Sequence, residues 1–403
     1  MPLPSAKIPE DAESRSQLIL RIGVVVMCRL NLNTARRFAY PFAPALSRGL
    51  GVPLTAITSL VAINWATALI GLFFGPVSDR LGYRRMMIAG QLMLIAGMFA
   101  GGIIPWYAVV LAALFLAGMA KSIFDPAVQA YVSERVPYRR RGTAIGLLET
   151  SWAGSTLVGI PLISLLIDGI GWRAPFFAMG GFGLLGLLAM LWFFPGESRP
   201  AAPAGERVRI VEVWRTVGRE KSALGVFGYS FLFSIAIDNL FMVYGVWLED
   251  AFQVGIVALG LGTGVIGAAE LGGEFLTATL SDRIGLKRAV SLGVAVCTLS
   301  YIVLPLAAQS LTGAFCALFF HFLLFEFTIV SSFSLCTELR PDLRATVIAG
   351  FLAAAGLGRV AGALIGIPVW LAGGITATGA TSACLSLAAL FSLRWGLKSW
   401  SAA

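Results

Sequence analysis

Apolar residues in this chain come in runs of about twenty, separated by short polar breaks. A run of roughly 20 residues at ~1.5 Å rise each crosses a ~30 Å hydrocarbon core as a helix. Twelve such runs can be counted, at about 18–46, 54–77, 85–104, 106–134, 142–168, 174–195, 222–248, 255–279, 287–308, 311–339, 344–371 and 376–397. Helices satisfy their own backbone polar groups in lipid. The pattern therefore predicts an all-α membrane protein with twelve transmembrane spans, numbered here in chain order. Residues 1–16 are polar and lead into the first run without the pattern of a secretory signal.

Composition agrees. Hydrophobic residues make up 58% of the 403 and charged residues 13%, with a mean hydropathy of +0.84, too apolar for a water-soluble domain of this length. The net charge of +9 would suggest an acidic partner if it clustered on one soluble face, but it is spread by topology. Basic residues collect in the N-terminal tail (Lys7, Arg15), after span 2 (Arg80, Arg84, Arg85), after span 4 (Arg135, Arg139, Arg140, Arg141), in the centre (Arg199 to Lys221), after span 8 (Arg283, Lys287, Arg288), after span 10 (Arg340, Arg344) and at the C-terminus (Arg394, Lys398). The alternate loops hold little beyond Arg48 and Arg173. By the positive-inside rule both termini are expected in the cytoplasm, and no nucleic-acid partner is expected. The five cysteines are scattered without C-x-x-C spacing and read as small packed side chains.

Residues 197–221 form the one long polar break. They divide the chain into a tail (1–17), a six-helix bundle (18–196), a linker (197–221), a second six-helix bundle (222–397) and a tail (398–403). Within the linker, Val208 to Val217 can lie amphipathically on the inner leaflet. The two halves repeat one another. Ser78-Asp79-Arg80-Leu81-Gly82-Tyr83-Arg84-Arg85 returns 203 positions later as Ser281-Asp282-Arg283-Ile284-Gly285-Leu286-Lys287-Arg288. Glu134 and Pro137 match Glu338 and Pro341, and Leu157-Val158-Gly159-Ile160-Pro161-Leu162 is mirrored by Leu364-Ile365-Gly366-Ile367-Pro368-Val369.

These residues resemble the major facilitator superfamily, whose loop between its second and third helices reads G-x-x-x-D-[RK]-x-G-x-[RK]-[RK]. The first copy fits from Gly75 through Asp79, Arg80, Gly82 and Arg84 to Arg85; the second has Ala278 at the leading glycine. Gly171-Trp172-Arg173-Ala174-Pro175-Phe176 is similar to the superfamily's G-W-R-x-x-F marker. The resemblance implies two pseudo-symmetric six-helix bundles, with spans 1, 4, 7 and 10 lining a central cavity and alternating access to it. It also implies that the duplicated loop, including Asp282, Arg283, Gly285, Lys287 and Arg288, gates the cytoplasmic side. Span 5 departs from the G-x-x-x-G-P-x-x-G-G pattern of the drug:proton antiporter branch: Val158 and Gly159 follow Gly154, and Pro161 is displaced by two. That branch's arginine in span 4 is absent, Lys121 being the nearest base.

Charges inside the bilayer cost roughly 2.5–3.5 kcal/mol or more at its centre and call for a reason. Span 1 carries Arg29, Asn33, Arg36, Arg37 and Tyr40, spaced to share a stripe, with one of the two adjacent arginines expected to snorkel outward. Span 4 carries Lys121 and Asp125 at i,i+4. Span 7 has Asp238 and Asn239, span 10 has Glu326 and the lone histidine, His321, and span 11 has Arg359. Glu149 in span 5 and Glu270 and Glu274 in span 8 add to the set. Arg36 matches Asn239 under the repeat, so it is the stronger site candidate in span 1. A packed role is the plainer reading for His321.

The expected substrate and proton cavity thus comprises Asn33, Arg36, Tyr40, Lys121, Asp125, Asp238, Asn239, Glu326 and Arg359. The alternative for each is an interhelical salt bridge without substrate contact. No phosphate-binding loop or Cys/His constellation is present, so neither ATP drive nor an enzyme is expected, and no cofactor or metal. The reading is a secondary active transporter for a small molecule, proton-coupled, with efflux favoured. It is expected to act as a monomer in a bacterial inner membrane. A permease for a small organic anion and a non-transporting receptor or scaffold on the same fold are the rivals.

Overall fold

The computed structural model describes residues 15–135, 147–194, 210–307, 309–340, 343–398 and 400, and the backbone alone for residues 15, 71–80, 133–134, 210–213, 282 and 344–345. All regular structure among the described residues is helical. The first set is α1 (Arg15–Arg37), α2 (Ala43–Leu50), α3 (Leu54–Leu81), α4 (Tyr83–Ile103), α5 (Tyr107–Arg135), α6 (Leu147–Gly169) and α7 (Ala174–Phe193). A short α8 (Ile210–Val217) precedes α9 (Lys221–Phe252), α10 (Ile256–Ile284), α11 (Leu286–Ala307), α12 (Leu311–Leu339) and α13 (Arg344–Gly396).

Ten described helices are individually long and apolar enough to cross a membrane. The last of them, α13, is two spans in series. Its 53 residues would reach ~80 Å as one rod, more than twice the ~30 Å core. It breaks at Gly373 and at Gly374, whose φ of 59° and ψ of −148° suit glycine alone. Residues 344–372 therefore cross one way and 375–396 return. The remaining span is α3, which meets the short α2 at 113°. The total among the described residues is twelve.

One expectation is corrected. The first run, 18–46, is not a single helix: α1 stops at Arg37, residues 38–42 form a turn, and α2 follows. Pro41 has no N–H to continue the ladder and its ring would meet the Arg37 carbonyl, while Tyr40 before it is pushed out of helical geometry. Tyr40 therefore sits in a turn.

α1 packs on α5, α6 and α7, α3 and α4 on α5, and α4 on α7; in the second set α9 packs on α13, α10 on α12, and α11 on α12 and α13. The two sets meet where α3 touches α13, α6 touches α10, and α2 touches α9. Large apolar side chains such as Leu185, Phe275, Leu371 and Phe391 face outward, as a lipid-facing surface requires. Trp106, Trp192 and Trp395, all exposed near helix ends, suit the interfacial belt.

Call the end that carries α2 the α2 end, and its opposite the terminal end. The α2 end is closed. A Cβ on Gly245 of α9 would fall 2.4 Å from the Pro41 carbonyl oxygen, and one on Gly260 of α10 would fall 2.1 Å from Ser164 Oγ. Arg48 and Glu249 pair across the rim at 2.6 Å. In the middle of α6, residues Ser155–Gly159 wind as a π-turn, with the Ile160 N–H bonding five residues back to the Ser155 carbonyl. Pro161 follows at once; it lacks the N–H that a regular ladder would use.

Candidate functional site

Three polar networks fill the middle of the bundle. In the first set, Arg29 of α1 reaches Asp125 of α5 at 3.1 Å and Glu149 of α6 at 3.1 Å. Lys121 closes on Asp125 at 2.6 Å, as its i,i+4 spacing anticipates. Two cations and two carboxylates balance. The Glu149 side chain keeps 44% of its surface accessible.

The second network crosses between the sets. Arg37 at the end of α1 holds Glu270 of α10 in a two-pronged pair at 2.6 and 3.2 Å, both side chains 4% exposed. The Thr156 hydroxyl, carried on the π-turn, also donates to Glu270 at 3.0 Å. The Arg37 guanidinium lies 4.4 Å from the Trp152 ring centre and 5.3 Å from that of Phe241.

The third network also crosses. Trp65 Nε1–H of α3 donates to Tyr40 Oη at 2.6 Å, and Tyr40 in turn donates to Asp238 of α9. Arg359 of α13 pairs with Asp238 at 3.0 Å. The Arg36 guanidinium lies 3.9 Å and that of Arg359 4.4 Å from the Trp65 ring centre. Adjacent positions on α1 point about 100° apart, which is why Arg36 turns to α3 while Arg37 turns to α10.

Two of the buried acidic and basic side chains stand outside these pairings. Arg36, 7% exposed, forms one long hydrogen bond, Nη2–H to the Asn64 carbonyl at 3.3 Å. Its buried Nε has no partner, and no carboxylate among the described residues pairs with it. Glu326 of α12, also 7% exposed, makes no hydrogen bond or ion pair among the described residues. It packs on α10, where a Cβ on Gly273 would fall 2.7 Å from its own, so it sits between the turns bearing Glu270 and Glu274.

A family model described as Major Facilitator Superfamily matches residues 25–363. The chain belongs to the Major Facilitator Superfamily. Two Bacillus subtilis proteins described as uncharacterized MFS-type transporters are similar to it: YwfA, 25% identical over 86% of this chain and 84% of its own length, and YceJ, 26% identical over 59% and 60%. The multidrug resistance protein MdtG of Enterobacter lignolyticus is 26% identical over 61% of this chain. The chain thus spans about 60% of YceJ and of MdtG. Among solved structures, a bacterial homologue of the human lysosomal transporter Spinster superposes with a TM-score of 0.81 at 15% identity, covering 97% of this chain and all of that one. This supports the fold.

The chain is a multi-pass membrane protein of this superfamily, and its duplicated loop folds twice in the same way. Gly82 has φ 93° and ψ 140°, and Gly285 φ 87° and ψ 129°, a region strained for any residue with a Cβ. Arg84 reaches the Leu191 carbonyl at 3.3 Å, and Lys287 holds the Leu397 and Trp400 carbonyls at 2.5 and 3.1 Å. Arg85, Arg283 and Arg288 are exposed. The side chains of Gly75, Asp79, Arg80 and Asp282 lie outside the described residues, as do Arg139 to Arg141 and the linker up to residue 209. The G-W-R marker is a cap: Arg173 donates to the Gly102 and Ile103 carbonyls at 2.7 and 2.8 Å, at the end of α4.

Of the sequence-derived cavity residues, Arg36, Tyr40, Asp238 and Arg359 come together around Trp65, and Lys121 and Asp125 join Arg29. Asn33 turns to Ser151 at 3.2 Å. Asn239 points away, to the Thr378 carbonyl and to Ser382 at 3.2 and 2.9 Å, so the repeat partner of Arg36 faces the back of its own set. Neither Arg36 nor Arg37 snorkels; both are buried. His321 is a packed histidine, its Nδ1 at 2.6 Å from Ser300 Oγ and its ring 4.2 Å from that of Tyr301. Sequence reasoning left Arg29, Arg37, Trp65, Glu149 and Glu270 out of the cavity set. For the four charged residues the available signal was charge within an apolar run; Trp65 offered none.

Proposed function

We propose that this superfamily member is a proton-coupled secondary transporter that exports a small molecule by alternating access. The halves 18–196 and 222–397 would rock about the 197–221 linker. The observation that carries the reading is the buried Arg37–Glu270 pair across the two sets, with the unpartnered Glu326 beside it. An uncompensated charge is costly in the bilayer. Glu326 is accommodated as the neutral acid while Arg37 is committed to Glu270. When the sets part at the α2 end, Arg37 leaves, and the carboxylates of α10 and α12 become the groups that exchange protons with the newly opened side.

Efflux is supported by the similarity to MdtG, a multidrug resistance protein. The basic residues at the terminal end support a cytoplasmic location for both termini. The protein works as a monomer in a bacterial plasma membrane on this reading. The test is counterflow in proteoliposomes with and without an imposed pH gradient. Glu326→Gln should abolish the response to the gradient and leave substrate exchange. A full pH-driven response in this variant would remove Glu326 from the coupling step.

A further inference from the structure

Among the described residues, Arg36 is the one guanidinium of the central networks that lacks a carboxylate partner. Its neighbours fix the charge of the space around it. Arg36 and Arg359 both lie over Trp65. Asp238 neutralises one of them, and Tyr40, as a hydrogen-bond donor to Asp238, is an uncharged phenol. The Arg29, Lys121, Asp125 and Glu149 group balances itself. One positive charge is left over, on a side chain with a single 3.3 Å hydrogen bond and a buried Nε that meets nothing. A desolvated guanidinium in this state is strongly unfavourable unless an anion completes it. Its planar fork matches a carboxylate with two parallel hydrogen bonds.

Resting on the transporter reading above, we infer that Arg36 is the recognition point for the carboxylate of a hydrophobic monocarboxylic acid. A monoanion brings the local charge to zero, whereas a phosphate dianion would leave an excess negative charge. The surroundings are aromatic. Trp65 lies under the guanidinium and bonds to Tyr40; Trp152 stands edge to face with Trp65 at 6.5 Å, and Phe241 lies 4.5 Å from Tyr40. They suit an apolar body and offer few groups to a sugar or a peptide. The same guanidinium disfavours a cationic substrate.

The experiment is thermal unfolding of the purified full chain in detergent, titrated with benzoate, naphthoate, octanoate, benzamide, inorganic phosphate and tetraphenylphosphonium. Binding raises the midpoint by mass action. At least one of the three carboxylates should stabilise the wild type; benzamide, phosphate and tetraphenylphosphonium should not. Losing a charge-assisted carboxylate contact should weaken the binding of that acid in Arg36→Gln by about 10- to 150-fold, with Arg36→Lys falling between. The Lys variant and the wild-type ligand series decide the matter if the Gln variant does not fold. Equal stabilisation by benzoate and benzamide, preference for phosphate, undiminished carboxylate affinity in both variants, or no response to any of the three acids would each overturn the inference. Binding and pH-driven transport measured on the wild type separate it from the coupling proposal. Carboxylate binding that survives while wild-type protein shows no pH-driven transport sinks the coupling alone, and intact coupling with no carboxylate binding sinks this inference alone.

Discussion

Replacing Glu270 by Gln tests whether the α2 end is held shut by a specific charge pair. The change keeps the shape of the side chain and leaves the Thr156 contact a partner, but it strands Arg37, whose side chain is 4% exposed. Removing one member of a buried pair costs roughly 3–5 kcal/mol. Arg37 already lies over Trp152 and Phe241 in the unmodified protein, so those contacts do not offset the difference. The amide oxygen of Gln can still accept one hydrogen bond, which favours the lower figure of about 3 kcal/mol. The pair exists only while the sets touch, so the whole cost falls on the closed form and shifts the equilibrium by roughly 150-fold. A closed form favoured at about 99:1 would drop to about 40:60. Spin labels at Asp168 and Ala251, both exposed at the α2 end, would report the change by double electron–electron resonance. The five native cysteines, of which Cys316 and Cys384 are exposed, must first be replaced. A second, longer distance should appear in Glu270→Gln and recede in the Arg37→Gln/Glu270→Gln double variant. A folded Glu270→Gln protein with an unchanged distance distribution would refute the reasoning.

Three further outcomes are expected. Gly82→Ala should lower the unfolding midpoint, because its φ of 93° costs a residue with a Cβ roughly 1–3 kcal/mol; an unchanged midpoint would mean the turn relaxes freely. Arg359→Gln should destabilise by roughly 3–5 kcal/mol by leaving the fully buried Asp238 without its cation, and adding Asp238→Asn should restore part of the loss, whereas a double variant as unstable as the single one would contradict the pairing. Single cysteines at Ser198 and Asp168, labelled in intact cells with an impermeant reagent, should react only at the second, and modification of Ser198 would reverse the proposed orientation.

Much of the fold was legible because its signals are local. A bilayer-length apolar run is visible within itself, and Asp79 with Gly82 repeats as Asp282 with Gly285 in plain register. The Lys121–Asp125 pair was legible for the same reason, both members lying on one turn-and-a-bit of α5. The candidate site was less so. Arg37 and Glu270 are 233 positions apart, and nothing in either neighbourhood distinguishes a bridge between sets from a side chain reaching for the membrane surface. The span 18–46 looked continuous because apolarity ignores the interruption that Pro41 imposes. Asn239 was misdirected by symmetry. The repeat aligns backbones, and the direction a side chain takes depends on packing that the two sets do not share.

The π-turn of α6 also sets the angular phase of the residues on either side. A regular helix advances about 100° per residue, and one residue wound in excess offsets everything beyond it by that amount. Before the turn, Glu149 and Ser151 serve Arg29 and Asn33 in their own set. On and after it, Thr156 and Ser164 address Glu270 and Gly260 in the other. The helix is thus a shaft with two keys cut out of line, one for each half of the molecule. Deleting a single residue between Ser155 and Gly159 would leave a span of the same apolar character, yet it would turn one key away from its lock.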